Sequence, residues 1–255
     1  MVKLNFISVI FLLFSFCVIG LAEGKPGVHK MLEKMHWSGQ ASWRIETGKQ
    51  NIYIDPLQLS KNSAKADIIF ITHSHGDHLS GKDIKLIATD STILIGPKSC
   101  ADKLNETGLS TIKLVSPGDT LNVSGLPVIA VPAYNVKKTQ FHPKENKWVG
   151  YILDINGIKI YHSGDTERIP EMKTFDCDIA LLPLGQTYTM HSVQEAAEAA
   201  LDINPTIAIP MHYGMYEGKT EDAEKFRELL KGKIEVIIKN MERSEETRLN
   251  SSHYS

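Results

Sequence analysis

The chain has 255 residues, long enough to bury one α/β core of ordinary size. With 42% hydrophobic and 23% charged residues it falls outside the disordered class, and a formal net charge of −2 gives no electrostatic footprint for nucleic acid or an anionic membrane. Basic residues are scattered without interleaved aromatics, which argues against a single-strand-binding surface.

Lys3, the apolar stretch Asn5 to Leu21 and the small-x-small exit Gly20-Leu21-Ala22 read as an export signal cut after Ala22. Residues 1–22 are thus expected to be removed, leaving a secreted or periplasmic protein. Left uncut, the same segment would be a membrane anchor, the one membrane association expected. Of three cysteines, Cys17 lies in this segment, and no C-x-x-C spacing exists. Cys100 and Cys177 fit either a disulfide in an oxidising compartment or two buried free thiols.

Ala41 to Ile45 and Ile52 to Ile54 alternate around Gly48-Lys49-Gln50, predicting a hairpin that ends at Asp55-Pro56. Asp67 to Thr72 reads as a buried strand running straight into His73-Ser74-His75-Gly76-Asp77-His78. Three imidazoles and a carboxylate in six residues suit borderline divalent cations far better than a core. His73 and His75, two apart on an extended end, point the same way, and Gly76 lets the chain turn so that Asp77 and His78 aim at a neighbouring position.

Further on, the pattern predicts a helix over Asp83 to Ala88, a strand over Thr92 to Ile95, a helix over Lys98 to Asn105, and strands at Ile112 to Val115 and Pro127 to Val131. Trp148 to Ile155 and Ile158 to Tyr161 flank Asn156-Gly157, a hairpin signal. A strand at Asp178 to Leu182, a helix at Val193 to Leu201 capped by Ser192, a strand at Thr206 to Ile209, a helix at Glu221 to Leu230 and a strand at Ile234 to Ile238 complete the series. Two echoes suggest related halves: Asp67 to Thr72 with Asp178 to Pro183, and Ile129 to Pro132 with Ile207 to Pro210. Arg243 to His253 has no apolar period and resembles a translated sequencing adapter. It reads as a non-native or disordered tail over 243–255, leaving 23–242 as the functional domain.

Asn135, Asp165 and His212 each follow a predicted strand, and strand ends on one sheet edge are where α/β proteins keep their sites. With His73-x-His75-x-Asp77-His78, Gly164-Asp165-Thr166 and Pro210-Met211-His212 in this order, the chain resembles the metallo-β-lactamase superfamily, and within it the compact, lactonase-like metal-dependent hydrolases. The resemblance implies a four-layer αββα sandwich with metals at one edge. It implies that His73 and His75 bind a first ion, that Asp77, His78 and His212 bind a second, and that Asp165 bridges both. Where the family usually supplies a third histidine to the first ion, this chain has Asn135; His142 is the candidate substitute.

The chemistry so implied is a metal-bound hydroxide attacking an ester, lactone, amide or phosphodiester bond of a small molecule, with Asp77 orienting the water and sharing in proton transfer. Zn²⁺ fits the donors, as one or two ions, with Mn²⁺ or Fe²⁺ as alternatives. No Gly-x-Ser-x-Gly elbow or phosphate-binding glycine loop is present. Two other classes remain: a non-catalytic metal-binding or sensing protein, and an iron-dependent oxidoreductase, whose relatives usually carry glutamate at the position of His75. His162 reads as a strand residue, His191 as a loop residue, and His29 and His36 as surface or packing residues. Asp55 is either a turn residue or an acceptor orienting an imidazole. Tyr134, Lys144, Thr187 and Tyr188 are pocket candidates. Oligomeric state is not legible.

Overall fold

The computed structural model describes residues 25–242; the expected export segment and the tail beyond Glu242 lie outside the described residues. A short helix, α1 (Val28–Leu32), precedes a six-stranded sheet. Its first three strands, β1 (Met35–Gly39), β2 (Ser42–Glu46) and β3 (Asn51–Ile54), are antiparallel. β4 (Ile68–Phe70) then joins parallel to β3, followed through α2 (Gly81–Ile87) by β5 (Ile93–Pro97). A 3-10 turn over Lys98–Cys100 runs into α3 (Ala101–Asn105), which leads to β6 (Thr111–Val115).

The second sheet has seven strands and repeats the plan. β7 (Thr120–Val123), β8 (Leu126–Pro132), β9 (Val149–Ile155) and β10 (Ile158–His162) are antiparallel. β11 (Ile179–Pro183) joins parallel to β10, and α4 (Val193–Ile203), β12 (Ile207–Met211), α5 (Thr220–Leu230) and β13 (Glu235–Val236) follow. β1, β7 and α1 were not anticipated from the sequence; β1 and β7 are short strands at or next to sheet edges, where periodicity is weakest.

Period-two alternation sorts the first sheet's side chains into layers. Ile52, Ile54, Ile68, Phe70 and Ile95 face the core shared with the second sheet. Tyr53, Ile69, Ile71 and Leu94 face outward onto Ile84, Ile87 and Leu104 of α2 and α3. On the other side α4 and α5 pack against β11 and β13, which completes four layers, helix–sheet–sheet–helix. Ser192 caps α4 by accepting from Glu195 N at 3.1 Å.

The first sequence echo is structural. Asp67 Oδ2 accepts from Asn51 N at 2.7 Å and Asp178 Oδ2 accepts from Lys159 N at 2.8 Å. Each aspartate thus begins a central parallel strand and ties it to the strand before. The second echo is not: β8 is an antiparallel member of its sheet, whereas β12 lies between two parallel neighbours. Cys100 packs on the outer side of the first sheet and Cys177 in the larger, separate core; both are buried and free, so the disulfide reading is corrected. The two cysteines belong to different layers, which leaves no route to a bond without moving backbone.

Candidate metal centre

The contiguous part of the site hangs from β4. Asp55, which follows β3 with φ 48°, is fully buried and organises it. It accepts from Thr72 N at 2.8 Å and from the Thr72 hydroxyl at 2.6 Å, and its Oδ2 lies 2.7 Å from His78 Nδ1. Because the Thr72 hydroxyl spends its proton on Asp55, it accepts at 3.0 Å from His73 Nδ1. Both rings are thereby fixed with Nδ1–H turned away and the Nε2 lone pair turned inward. Of the two readings left open for Asp55, the acceptor is the one seen.

The second sheet contributes residues singly. Asp165 reaches the site after Gly164, whose φ of 61° favours glycine and where an added β-carbon would fall 3.0 Å from Thr72 Cβ. Asp165 Oδ1 lies 3.1 Å from His212 Nε2 and 3.3 Å from His78 Nε2. Its Oδ2 lies 3.3 Å from His142 Nε2 and 3.8 Å from His73 Nε2. His73 Nε2 is in turn 3.1 Å from His75 Nδ1, and Asp77 Oδ2 is 3.5 Å from His78 Nε2 and 3.9 Å from His212 Nε2. Two groups result: His73, His75 and His142 on one side of Asp165, and Asp77, His78 and His212 on the other, each with ligand atoms within 4.8 Å of one another.

His142, not Asn135, stands with His73 and His75. Asn135 lies behind it: its amide donates to Lys138 O at 3.1 Å and Tyr188 O at 2.7 Å, and reaches the Nδ1 side of His142. His142 Nδ1 also faces Tyr188 O at 3.1 Å, which directs Nε2 at Asp165. Trp148 backs this group, its ring centroid 4.8 Å from His73, 5.0 Å from His75 and 5.5 Å from His142.

Two glutamates that the sequence did not single out brace these loops. Glu217 Oε1 is 2.8 Å from His212 Nδ1, while its Oε2 accepts from Thr187 N and Tyr188 N at 2.9 and 2.8 Å. A β-carbon on Gly185 would fall 1.8 Å from the same carboxylate, so that position has no room for a side chain. Glu167, fully buried, accepts from the backbone N–H groups of Val136, Lys137 and Lys138 and so holds the segment that delivers His142. Neither glutamate belongs to a recognisable motif; their roles arise only from loops meeting in space.

The donor set fits one or two divalent cations. His78 Nε2 and Asp165 Oδ1 in one group and His142 Nε2 in the other are buried without a well-formed hydrogen bond, an arrangement costly unless a cation lies among the donors. Burial holds His73 well below its ordinary imidazole value, helped by neighbouring His78. Burial acts likewise on His78 and His212, but Asp165, with Asp55 and Glu217 respectively, outweighs it: His78 rises well above the usual range and His212 to about 9. For Asp165, His212 and His78 overcome burial and hold the carboxyl well below normal. Asp77 is held down to about 2 against its burial, mainly by His78.

The centre opens into a cavity of about 550 Å³ lined by His75, Asp77, His142, Asp165 and His212 together with Phe141, Tyr188 and Tyr216. Phe141 and Tyr188 meet edge to face at 4.9 Å. Tyr134 and Lys144 pair with Glu171 away from this lining, and Thr187 contributes its backbone N–H to Glu217. His162 bonds Ala41 O at 2.8 Å inside the core; His191 is exposed, and His29 pairs with Glu235 and His36 with Glu242.

Residues 34–212 match the model of the β-lactamase superfamily domain. A UPF0173 metal-dependent hydrolase of Thermococcus onnurineus is 33% identical over 219 residues, covering 80% of this chain and 95% of its own. One of Methanopyrus kandleri is 32% identical over 222 residues, covering 80% and 96%. Among solved structures, a protein of Parabacteroides distasonis assigned as a metal-dependent hydrolase is 36% identical with a TM-score of 0.72, covering 80% of this chain and 91% of that one. CmlA, a diiron β-hydroxylase of Streptomyces venezuelae, shares the fold at 14% identity and a TM-score of 0.67, covering 81% and 52%.

Proposed function

The chain belongs to the β-lactamase superfamily as one of its metal-dependent hydrolases, and from that premise we propose that it cleaves an uncharged ester, lactone or amide bearing an apolar or aromatic group. One observation carries the reading. Asp165 turns one oxygen to each of two imidazole groups at the floor of a cavity whose walls carry Phe141, Tyr188 and Tyr216 and, among the described lining residues, no lysine or arginine. A phosphodiester would find no side-chain cation there, which ranks it below a carbonyl substrate.

His73, His75 and His142 would hold one ion, and Asp77, His78 and His212 the other, with Asp165 shared. A divalent cation held there, Zn²⁺ foremost and Mn²⁺ or Fe²⁺ as alternatives, would supply Lewis acidity for activating water and for offsetting charge on the acyl oxygen. Asp77, ionised throughout the neutral range and facing the cavity, accepts a hydrogen bond from the attacking water and turns its lone pair toward the carbonyl. The three aromatic rings bind the apolar part of the substrate and keep bulk water from the reacting carbon. Lys3 and the apolar stretch after it support export, with the mature chain beginning after Ala22; N-terminal sequencing of protein recovered outside the cytoplasm checks this.

The test is a hydrolysis screen with metal content measured on the same sample. Aryl esters and lactones should turn over, chelation should abolish the activity, and added Zn²⁺ or Mn²⁺ should restore it. Turnover of phosphodiesters alone, or activity indifferent to chelation, would refute the reading.

A further inference from the structure

Gln40 follows β1 with φ 48°, left-handed backbone that a β-carbon makes costly. Asp55 and His212, at 48° and 59°, share that conformation, and both belong to the metal centre. What holds Gln40 there is His212 itself: the Gln40 carbonyl accepts from His212 N at 2.9 Å and from Trp37 Nε1 at 3.0 Å. The side chain then turns inward and is buried, 1% exposed. Its amide nitrogen lies 2.7 Å from His212 Nε2 and 3.0 Å from Asp77 Oδ2.

Those two distances are informative. Atoms that bind one ion at about 2.0–2.2 Å sit roughly 3 to 3.6 Å from each other. The amide tip of Gln40 therefore stands close to ligand spacing from two donors of the second group. His212 Nδ1 lies 2.8 Å from Glu217 Oε1, on the side away from Asp77 and Asp165, so in the neutral ring Nε2 is the atom placed to take an ion. An amide N–H₂ facing that ion would be repelled, whereas a half-turn of the amide brings Oε1 to the same place. Oε1, as it stands, is buried and accepts no hydrogen bond, so the turn gives up only the amide nitrogen's contacts with Asp77 and His212, the two donors that an ion would then take.

We propose that the Gln40 side-chain oxygen is a further ligand of the ion held by Asp77, His78 and His212. This rests on the metal-centre reading above. Counting Asp165, that ion has two nitrogen and three oxygen donors, a set that suits harder cations such as Mn²⁺ or Fe²⁺ better than the imidazole-rich group opposite. Gln40 lies at the end of β1 as Asn135 lies beyond the end of β8, so each antiparallel meander sends one segment to the centre.

The experiment strips the full chain with a chelator and titrates it with Co²⁺ and with Mn²⁺, following stoichiometry, affinity and the Co²⁺ visible spectrum. Wild type should take up two equivalents. Q40M, with the same bulk and no oxygen, should bind one of them as wild type does and the other at least tenfold more weakly, with an altered Co²⁺ spectrum. Q40E, which presents an oxygen from the same shape, should bind both. Unchanged or tighter binding of both equivalents by Q40M would overturn the assignment, as would equal weakening of both in Q40M and Q40E, which would make Gln40 a packing residue. Fewer than two equivalents in wild type would instead remove the two-ion reading and this ligand with it.

Discussion

The two sheets share a plan but feed the centre in opposite ways. After β4, one loop of six residues carries His73, His75, Asp77 and His78, braced from within its own sheet by Asp55 and Thr72. The second sheet supplies Asp165, His142 and His212 from three separate loops, and Glu167 from the Asp165 loop and Glu217 from the His212 loop reach across to brace neighbouring ones. The first half is close to a local device; the second is an assembly. Local geometry survives small backbone shifts, whereas an assembly depends on every loop being held, which is why two buried carboxylates are spent on backbone N–H groups.

The comparison breaks hardest at Asp165, which turns one carboxylate oxygen to each group. Asp165→Ala should abolish turnover, lowering kcat/KM by about three orders of magnitude or more, and should strip metal from both groups, because it leaves buried imidazoles without their shared carboxylate. His75→Ala should abolish turnover too but keep one equivalent of metal. Elemental analysis of the two variants separates these outcomes, and equal metal loss in both would erase the distinction between a shared and a single-group residue.

The bracing differs less and can be measured. Glu217→Gln should weaken metal affinity and activity by roughly 10- to 100-fold, the usual cost of losing an acceptor behind a ligating histidine. Since the Glu217 carboxylate also fixes Tyr188, which aligns His142, both equivalents of metal should loosen. Asp55→Asn should act mainly through His78 and weaken one equivalent. Competition titration with a chromophoric chelator reads both variants, and a one-equivalent effect in Glu217→Gln would show that the second half is less interdependent than its contacts imply.

The smallest effect expected is on the matched aspartates. Asp67→Ala and Asp178→Ala each remove one carboxylate acceptor from a backbone N–H, and each should cost about 1–3 kcal/mol of stability with kcat unchanged. Asp178 also pairs with Lys25 at 3.1 Å, but that lysine is half exposed and adds little. Urea denaturation gives both values, and a difference of several kcal/mol would mean that the halves have diverged in how they anchor their central strands.

Much was legible in the chain itself. The hairpins around Gly48 and Asn156, the strands following Asp67 and Asp178, and the histidine run after β4 are written in short stretches, because strand periodicity and ligand spacing over six residues are local properties. The Asp67–Asp178 echo marked a true structural repeat, while Ile129 to Pro132 matched Ile207 to Pro210 only as one apolar strand matches another. Asn135 drew attention because it stands where a ligand is usual, yet its amide serves the backbone, and His142, seven residues later, faces Asp165.

The sequence alone thus determined the layered α/β architecture, the family and the loop that begins the candidate metal centre. Only the tertiary structure decided that His142 joins His73 and His75, that Glu167 and Glu217 hold the loops, that the two cysteines stay apart, and that Gln40 meets His212. The physical reason is range: periodicity and motif spacing fix what neighbours along the chain do, whereas an unpatterned side chain in a loop acquires its partner only when two sheets have packed and brought distant loops to one edge.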